Sequence, residues 1–371
     1  MQTPQRDDYR NEVARKRVLL LRQIQKELPI ACVDFFVAIE PQTGILTRLA
    51  YAYDLRIFFQ YLCDEVRTFA GLTPNELTDA HIAQVTRLDV ERYTQFLTLY
   101  YKNEQREDGT VISREMENKE YGKMRKLSSL RAFFRYLFSS ERVPGNVAEL
   151  VPLPKGHEKA IIRLDIDEVA RILDIAESGE ALSARQKQYH ALTRARDLAM
   201  LTLFLGTGIR VSECVGLNLA DIDFEQNAFI VTRKGGSEAI LYLSDEVAAA
   251  LLAYRNERLR VEALPGHEAA FFLSLQRRRI SQRAVENLVH KYARIAAPLK
   301  RKISPHKLRS TYGTNLYRET GDIYLVADVL GHTDVNTTRK HYAAIPEERR
   351  REAARHTILR QAAHPDSDGD A

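Results

Sequence analysis

The sequence predicts a mainly α-helical protein of two domains, the second carrying a small β-hairpin. Three observations lead there. Apolar residues recur at helical spacing through roughly the first 140 positions, a stretch with two prolines at 150–159 breaks the pattern, and two β-rich runs flank a glycine pair within 228–243. A length of 371 residues accommodates two or three domains of about 100–200 residues each. Hydrophobic residues at 44% and charged residues at 28% exclude wholesale disorder and fibrous repeats. No window holds the roughly 18 uninterrupted apolar residues of a membrane span, and the first eight residues contain no apolar signal stretch, so a cytoplasmic protein is expected. Cys32, Cys63 and Cys214 stand far apart without metal-type spacing and are expected as reduced, buried thiols. The net charge of +5 permits a nucleic-acid partner without demanding one.

The first domain is expected at 1–150, helical from residue 10 to about residue 140. Tyr51, Leu55, Phe58 and Leu62 fall at i, i+4, i+7 and i+11, and Leu88, Tyr93, Phe96 and Tyr100 mark a second amphipathic run. A helix over 119–138 places Leu127, Leu130, Phe134 and Leu137 on its apolar stripe. Lys123, Lys126, Arg131 and Arg135 crowd its remaining surface and make one face basic. The polar stretch 105–118, with Asp108-Gly109 inside it, is expected as a surface loop. Pro152 and Pro154 bar a continuous helix, so 151–164 is expected as a linker. Asp165 and Glu168 then have the spacing of a capping box opening the second domain, 165–361. Within it, 228–232 and 239–243 form the hairpin, and 362–371 is a frayed acidic tail.

Three short constellations could carry chemistry. Arg210 and Glu213 follow a helix stopped by glycines, and their i, i+3 spacing puts them on one face. A guanidinium held by a carboxylate is a preoriented fork for phosphate oxygens, although an isolated pair of this kind is also an ordinary surface ion pair. Ser304 suits an N-cap and Pro305 the first helical position, which leaves His306 and Arg309 to share a face at an anion-attracting helix start. Alone, they would be polar residues beside a cap. Gly331 ends another helix, His332 sits in the turn after it, and Tyr342 follows ten residues later. A lone tyrosine is otherwise a packing residue.

Taken in order, Arg-x-x-Glu, a hairpin lysine at Lys234, His-x-x-Arg and Gly-His…Tyr behind a basic helical domain resemble the tyrosine recombinases, also called the phage integrase family. The resemblance covers the second domain motif by motif and the first by architecture alone. Within the family it is nearest the Xer recombinases, in the branch where one protein resolves chromosome dimers unaided. It implies a C-shaped clamp of a helical, SAM-like core-binding domain and an α+β catalytic domain around double-stranded DNA bearing a recombination site. A homotetramer on two sites, a DNA translocase as candidate activator and a nucleoid setting belong to the same implication, with Lys123, Lys126, Arg131 and Arg135 as DNA contacts. Arg210 and Arg309 would hold the non-bridging oxygens of the scissile phosphate, and Glu213 would orient the Arg210 region. His306 would assist proton transfer at the nucleophile, Lys234 would protonate the leaving 5′-oxygen, and His332 would hydrogen-bond a phosphate oxygen. Tyr342 would be the nucleophile. No cofactor is implied, since guanidiniums and imidazoles stabilise the charge that builds on the equatorial oxygens. The sequence also contains no phosphate-binding Gly-x-x-x-x-Gly-Lys-Ser/Thr loop, no Cys/His metal spacing and no dinucleotide-binding Gly-x-Gly-x-x-Gly.

One departure stands out. The His332 to Tyr342 gap is one residue longer than the family's usual spacing, and one residue turns a helical side chain by about 100°. No other tyrosine lies beyond His332, so Tyr342 keeps the assignment. The segment 346–360 is either a surface helix or, by the resemblance, a tail docking on a neighbouring subunit. A mobile-element integrase, a type IB topoisomerase and a catalytically dead architectural protein are the competing functions.

Overall fold

The computed structural model describes residues 8–105, 110–156, 162–233, 236–300, 302–332 and 335. The chain divides into two compact units, Met1–Lys159 and Ala160–Ala371.

The first unit contains α1 (Asp8–Gln25), α2 (Ile30–Ile39), α3 (Ile45–Glu65), α4 (Asp79–Ile82), α5 (Arg87–Phe96), strands β1 (Leu99–Gln105) and β2 (Val111–Glu117), and α6 (Glu120–Ser139). Helix α3 is the centre: Leu55, Phe58 and Leu62 are buried as their spacing predicts, and α3 packs against α1 and α6. Tyr51 is only half-buried, stacked on Phe35. On α6, Leu127, Leu130, Phe134 and Leu137 are all buried, joined by Phe133. Phe58 sits among Phe59, Tyr93 and Phe134 with ring centroids at 5.4, 5.1 and 6.3 Å, edge to face in each case, a geometry that suits the aromatic quadrupoles. A polar link crosses this core. Arg125 on α6 forks onto Asp54 of α3 at 2.5 and 2.7 Å, and Ser129 Oγ donates to the same carboxylate at 2.7 Å. Burial nonetheless pushes the Asp54 carboxyl up, against the downward pull of Ser129 and Arg125.

Within the expected loop at 105–118, Val111–Glu117 is instead a strand paired antiparallel with Leu99–Gln105, with Leu99 opposite Glu117 and Gln105 opposite Val111. Tyr100 is buried and stacks on Phe96, so its place in the amphipathic run belongs to a strand rather than a helix. Tyr101 is exposed and donates its hydroxyl to Glu115 across the ladder. The basic face of α6 is also smaller than expected. Lys126 is 7% exposed and donates to Asn118, and Arg131 donates to the backbone carbonyls of Ala148, Glu149 and Val151. Lys123 reaches Thr98, and Arg135 pairs with Glu149.

The second unit contains α7 (Ile166–Ser178), α8 (Ala184–Thr207), α9 (Val211–Gly216), β3 (Ile222–Asp223), β4 (Ala228–Thr232), β5 (Glu238–Tyr242), α10 (Asp245–Arg258), α11 (Gln282–Ala296), α12 (Pro305–Thr320) and α13 (Ile323–Leu330). The capping box at its start forms, with the Asp165 N–H donating to Glu168 Oε2 at 2.8 Å. Helix α8 is buried all round in its second half, where Ala199, Met200, Leu201, Leu203 and Phe204 have no exposed surface, and it packs against α7, α10 and α12. Helix α11 buries Val285, Leu288, Val289, Tyr292, Ala293 and Ala296, a stripe of period 3.6. The sheet has three strands in the order β3-β4-β5, antiparallel, so the expected hairpin gains a two-residue edge strand too short to leave a pattern. Phe229, Val231 and Leu241 face inward while Ile240 and Tyr242 face out. All three cysteines are free and buried, and among the described residues no helix is long and apolar enough to cross a membrane.

Phe58→Ala is expected to destabilise the first unit by about 3–5 kcal/mol, through lost burial and an uncollapsed cavity. Urea unfolding followed by far-UV circular dichroism checks this, the chain having no Trp to report by fluorescence.

Candidate active site

The site is assembled at the C-terminal end of α13. This eight-residue helix opens on Asp322, whose carboxylate accepts from the Tyr324 and Leu325 N–H groups at 2.8 and 3.1 Å, and closes on Gly331 in the left-handed conformation at φ 61°. The His332 N–H donates to the Ala327 carbonyl at 2.9 Å and the Gly331 N–H to that of Asp328 at 2.8 Å, the paired bonds of a Schellman turn. A helix end leaves its last carbonyls without intrahelical partners. Three arginines from three other elements supply the donors.

Arg309, near the start of α12, is 5% exposed; it donates to the Gly208 carbonyl at 2.5 Å and to the Leu330 carbonyl. Arg210 caps α9 and donates to the Gly331 carbonyl at 2.9 Å. Arg233, at the end of β4, donates to the carbonyls of Asp328 and Val329 at 3.0 and 2.9 Å. Four consecutive carbonyls, 328 to 331, therefore each accept from a guanidinium. Cations are electrostatically favoured at this end of a helix.

Local sequence explains how these groups arrive. Helix α8 stops at Gly208, φ 62°, where a Cβ would stand 2.5 Å from Tyr312 and 2.8 Å from Leu330, so only glycine allows both the turn and the close approach. Two residues later the Arg210 N–H donates to Glu213 Oε2 at 2.9 Å and its Nη1 to Glu213 Oε1 at 2.7 Å. Glu213 is 5% exposed and Arg210 30%, so the carboxylate grips the guanidinium from the protein side and leaves the other side open. Ser304 precedes Pro305 at the start of α12, as the sequence predicts, without a side-chain cap bond.

Of the residues singled out in sequence, Arg210, Glu213, Arg309 and His332 are brought together at this turn. His306 lies on the first turn of α12, exposed, while Arg309 on the same helix is buried. Lys234 and Tyr342, like the segment 346–360, lie outside the described residues. Sequence reasoning set Arg233 beside Lys234 without a role of its own, because its carbonyl partners lie 95 and 96 residues away in the chain.

Electrostatically the turn is a cluster of three guanidiniums against one nearly buried carboxylate, and its complement is an anion. Burial lowers the Arg233 pKa and Arg210 adds to that, with Glu213 and Asp328 opposing, but an arginine keeps its charge throughout the biological range. Cys214 adjoins Glu213 but is fully buried, and burial pushes its thiol well up, away from nucleophilic use. Among the described residues no group of three His, Cys, Asp or Glu side chains is arranged for a metal ion. The arrangement can bind a phosphodiester by its non-bridging oxygens and stabilise negative charge that builds there.

Residues 163–349 match the phage integrase family. The tyrosine recombinase XerC of Caldanaerobacter subterraneus subsp. tengcongensis is 30% identical over 319 residues, spanning 84% of this chain and 81% of its own length. The XerC of Oceanobacillus iheyensis is 30% identical over 331 residues, 89% of this chain and 95% of its own. In three dimensions the chain shares its fold with the XerH site-specific recombinase bound to a palindromic difH substrate, at a TM-score of 0.61 and 19% identity over 84% of this chain and 80% of that one.

Gly331→Ala places a Cβ 1.5 Å from Arg233 Nη1 on a left-handed backbone, whereas Gly266→Ala meets the backbone cost alone, at φ 82° with open space around it. Gly266→Ala is expected to lose about 1–2 kcal/mol and Gly331→Ala clearly more, in paired thermal melts. Arg309→Lys, which cannot reach both carbonyls from one ammonium, is expected to destabilise by about 1–3 kcal/mol in urea titrations.

Proposed function

The chain belongs to the phage integrase family of tyrosine recombinases, and on that premise we propose that it cleaves and rejoins duplex DNA at a specific site through a 3′-phosphotyrosyl intermediate on Tyr342. The observation that supports this most is the gathering of Arg210 and Arg309 on the Leu330 and Gly331 carbonyls, immediately before His332. In this reading the two guanidiniums hold the non-bridging oxygens of the scissile phosphate, Glu213 fixes Arg210, and His332 donates to a phosphate oxygen. The Tyr342 hydroxyl oxygen attacks phosphorus and its proton passes to His306. The bond from phosphorus to the 5′-oxygen breaks, and Lys234 delivers the proton that this oxygen takes up. The phosphodiester's energy stays in the new bond, so a 5′-hydroxyl from another strand reverses the step without ATP.

The helical first unit would be the core-binding domain and the second the catalytic domain of a clamp on DNA, with Lys123 and Arg135 the α6 bases best placed to meet phosphates. Their contribution would be sequence-independent and steeply salt-dependent. A homotetramer on two sites, resolution of chromosome or plasmid dimers in the cytoplasm, at the nucleoid, and activation by a DNA translocase complete the proposal. Integration of a mobile element uses the same site chemistry, and gene neighbourhood separates the two.

The test is covalent capture. Wild type and Tyr342→Phe are incubated in EDTA with a radiolabelled, nicked duplex library of randomised core sequence, then run on a denaturing gel. A labelled protein band from wild type that vanishes in Tyr342→Phe is expected. An adduct that survives the substitution removes Tyr342 from its role; no adduct, with the same duplex bound in a native gel, makes the chain an architectural protein, and relaxation of a supercoiled plasmid without a defined site, in a parallel assay, makes it a topoisomerase.

A further inference from the structure

Arg233 has no part in holding the phosphate in this reading, yet it connects the two elements whose alignment the chemistry needs. Its backbone closes the loop end of the β4–β5 hairpin: the Arg233 N–H donates to the Ser237 carbonyl at 2.7 Å, and its own carbonyl accepts from the Gly236 N–H at 3.1 Å. Its side chain leaves the sheet and spans two successive carbonyls near the end of α13, those of Asp328 and Val329, at 3.0 and 2.9 Å. The head occupies the space that a Cβ on Gly331 would fill. Its Nε is buried without a partner among the described residues, so the two terminal nitrogens carry the attachment. A planar fork can bridge two neighbouring carbonyls, which a single ammonium on a flexible stem does not.

The attachment matters because β5 is an edge strand: beyond its ladder to β4 and the buried Leu241, its Ile240 and Tyr242 are 60% and 74% exposed. Lys234 is the next residue in the chain after Arg233. We infer that Arg233 is a positioning residue for strand cleavage, locking the end of the hairpin to the turn that carries His332 so that protonation of the leaving 5′-oxygen depends on a side chain that itself donates no proton. The inference rests on the reading of Lys234 as the proton donor. It assigns Arg233 to one step of the reaction and separates it from Arg210 and Arg309, which would act on the phosphate itself.

The experiment is single-turnover cleavage of the nicked duplex that wild type captures, prepared with either oxygen or sulfur at the 5′-bridging position of the scissile phosphate. A thiolate departs without needing a proton, so the sulfur substrate bypasses the donor. Lys234→Ala is expected to be slow on oxygen and restored on sulfur. Arg233→Gln is expected to be at least about tenfold slower than wild type on oxygen, a partial loss of the roughly 10²–10⁴-fold that a positioned acid contributes, and within about twofold of it on sulfur. Arg233→Lys should recover only part of the oxygen rate. Cleavage of the sulfur substrate also establishes that each variant is folded and binds DNA. Arg233→Gln at the wild-type rate on oxygen overturns the inference, and so does a loss that persists on sulfur while Lys234→Ala is restored. If sulfur fails to restore Lys234→Ala, the proton-donor reading itself falls and takes the inference with it.

Discussion

The candidate site depends on how one short helix ends. The last turn of α13 leaves carbonyl oxygens in a crowded place, and such groups require donors. Arginines from α9, β4 and α12 provide them. Bonds to these carbonyls fix the plane of each guanidinium. Satisfying the backbone and preorganising the positive charge are thus one arrangement. It also explains why Gly208 and Gly331 are required: both supply a left-handed turn and both stand where any side chain would displace a partner.

The same device recurs away from the site. Arg258, 4% exposed, donates to the carbonyls of Ala270, Val261 and Glu268. Arg279, 8% exposed, donates to those of Val215 and Leu217 and to the Asn218 side chain, which anchors the far end of the helix that Arg210 caps. Arg131 does this in the first unit. Part of the chain's basic charge is therefore structural, and a count of lysines and arginines overstates what is available to a nucleic acid. Position at the α13 turn, rather than number, distinguishes Arg210 and Arg309.

What the sequence made legible follows from where its signals are local. Caps and glycine stops lie within a few residues of what they control, so Asp165 with Glu168, Gly208 and Gly331 could be read directly, as could the apolar stripes of α3 and α6. The β1–β2 hairpin could not: its strands are rich in charged and polar residues, with exposed Tyr101, and their composition matches that of a loop. Lys126 and Arg131 turned inward onto Asn118 and the carbonyls of Ala148, Glu149 and Val151, partners outside the helix that leave no periodic trace in it. Arg233 was hidden for the same reason, its partners lying 95 and 96 residues away. Family resemblance, not periodicity, gave the roles of His306, His332 and Tyr342.

In the proposed function, carbonyl-held guanidiniums receive the scissile phosphate without rearrangement. The most direct measurement is a structure of Tyr342→Phe bound to the captured duplex. Arg210 and Arg309 nitrogens are expected at about 3 Å from the two non-bridging oxygens of a single phosphate, with Arg210 still on the Gly331 carbonyl and Arg309 still on those of Gly208 and Leu330. A phosphate seated elsewhere, or guanidiniums that abandon those carbonyls to reach it, would contradict that proposal.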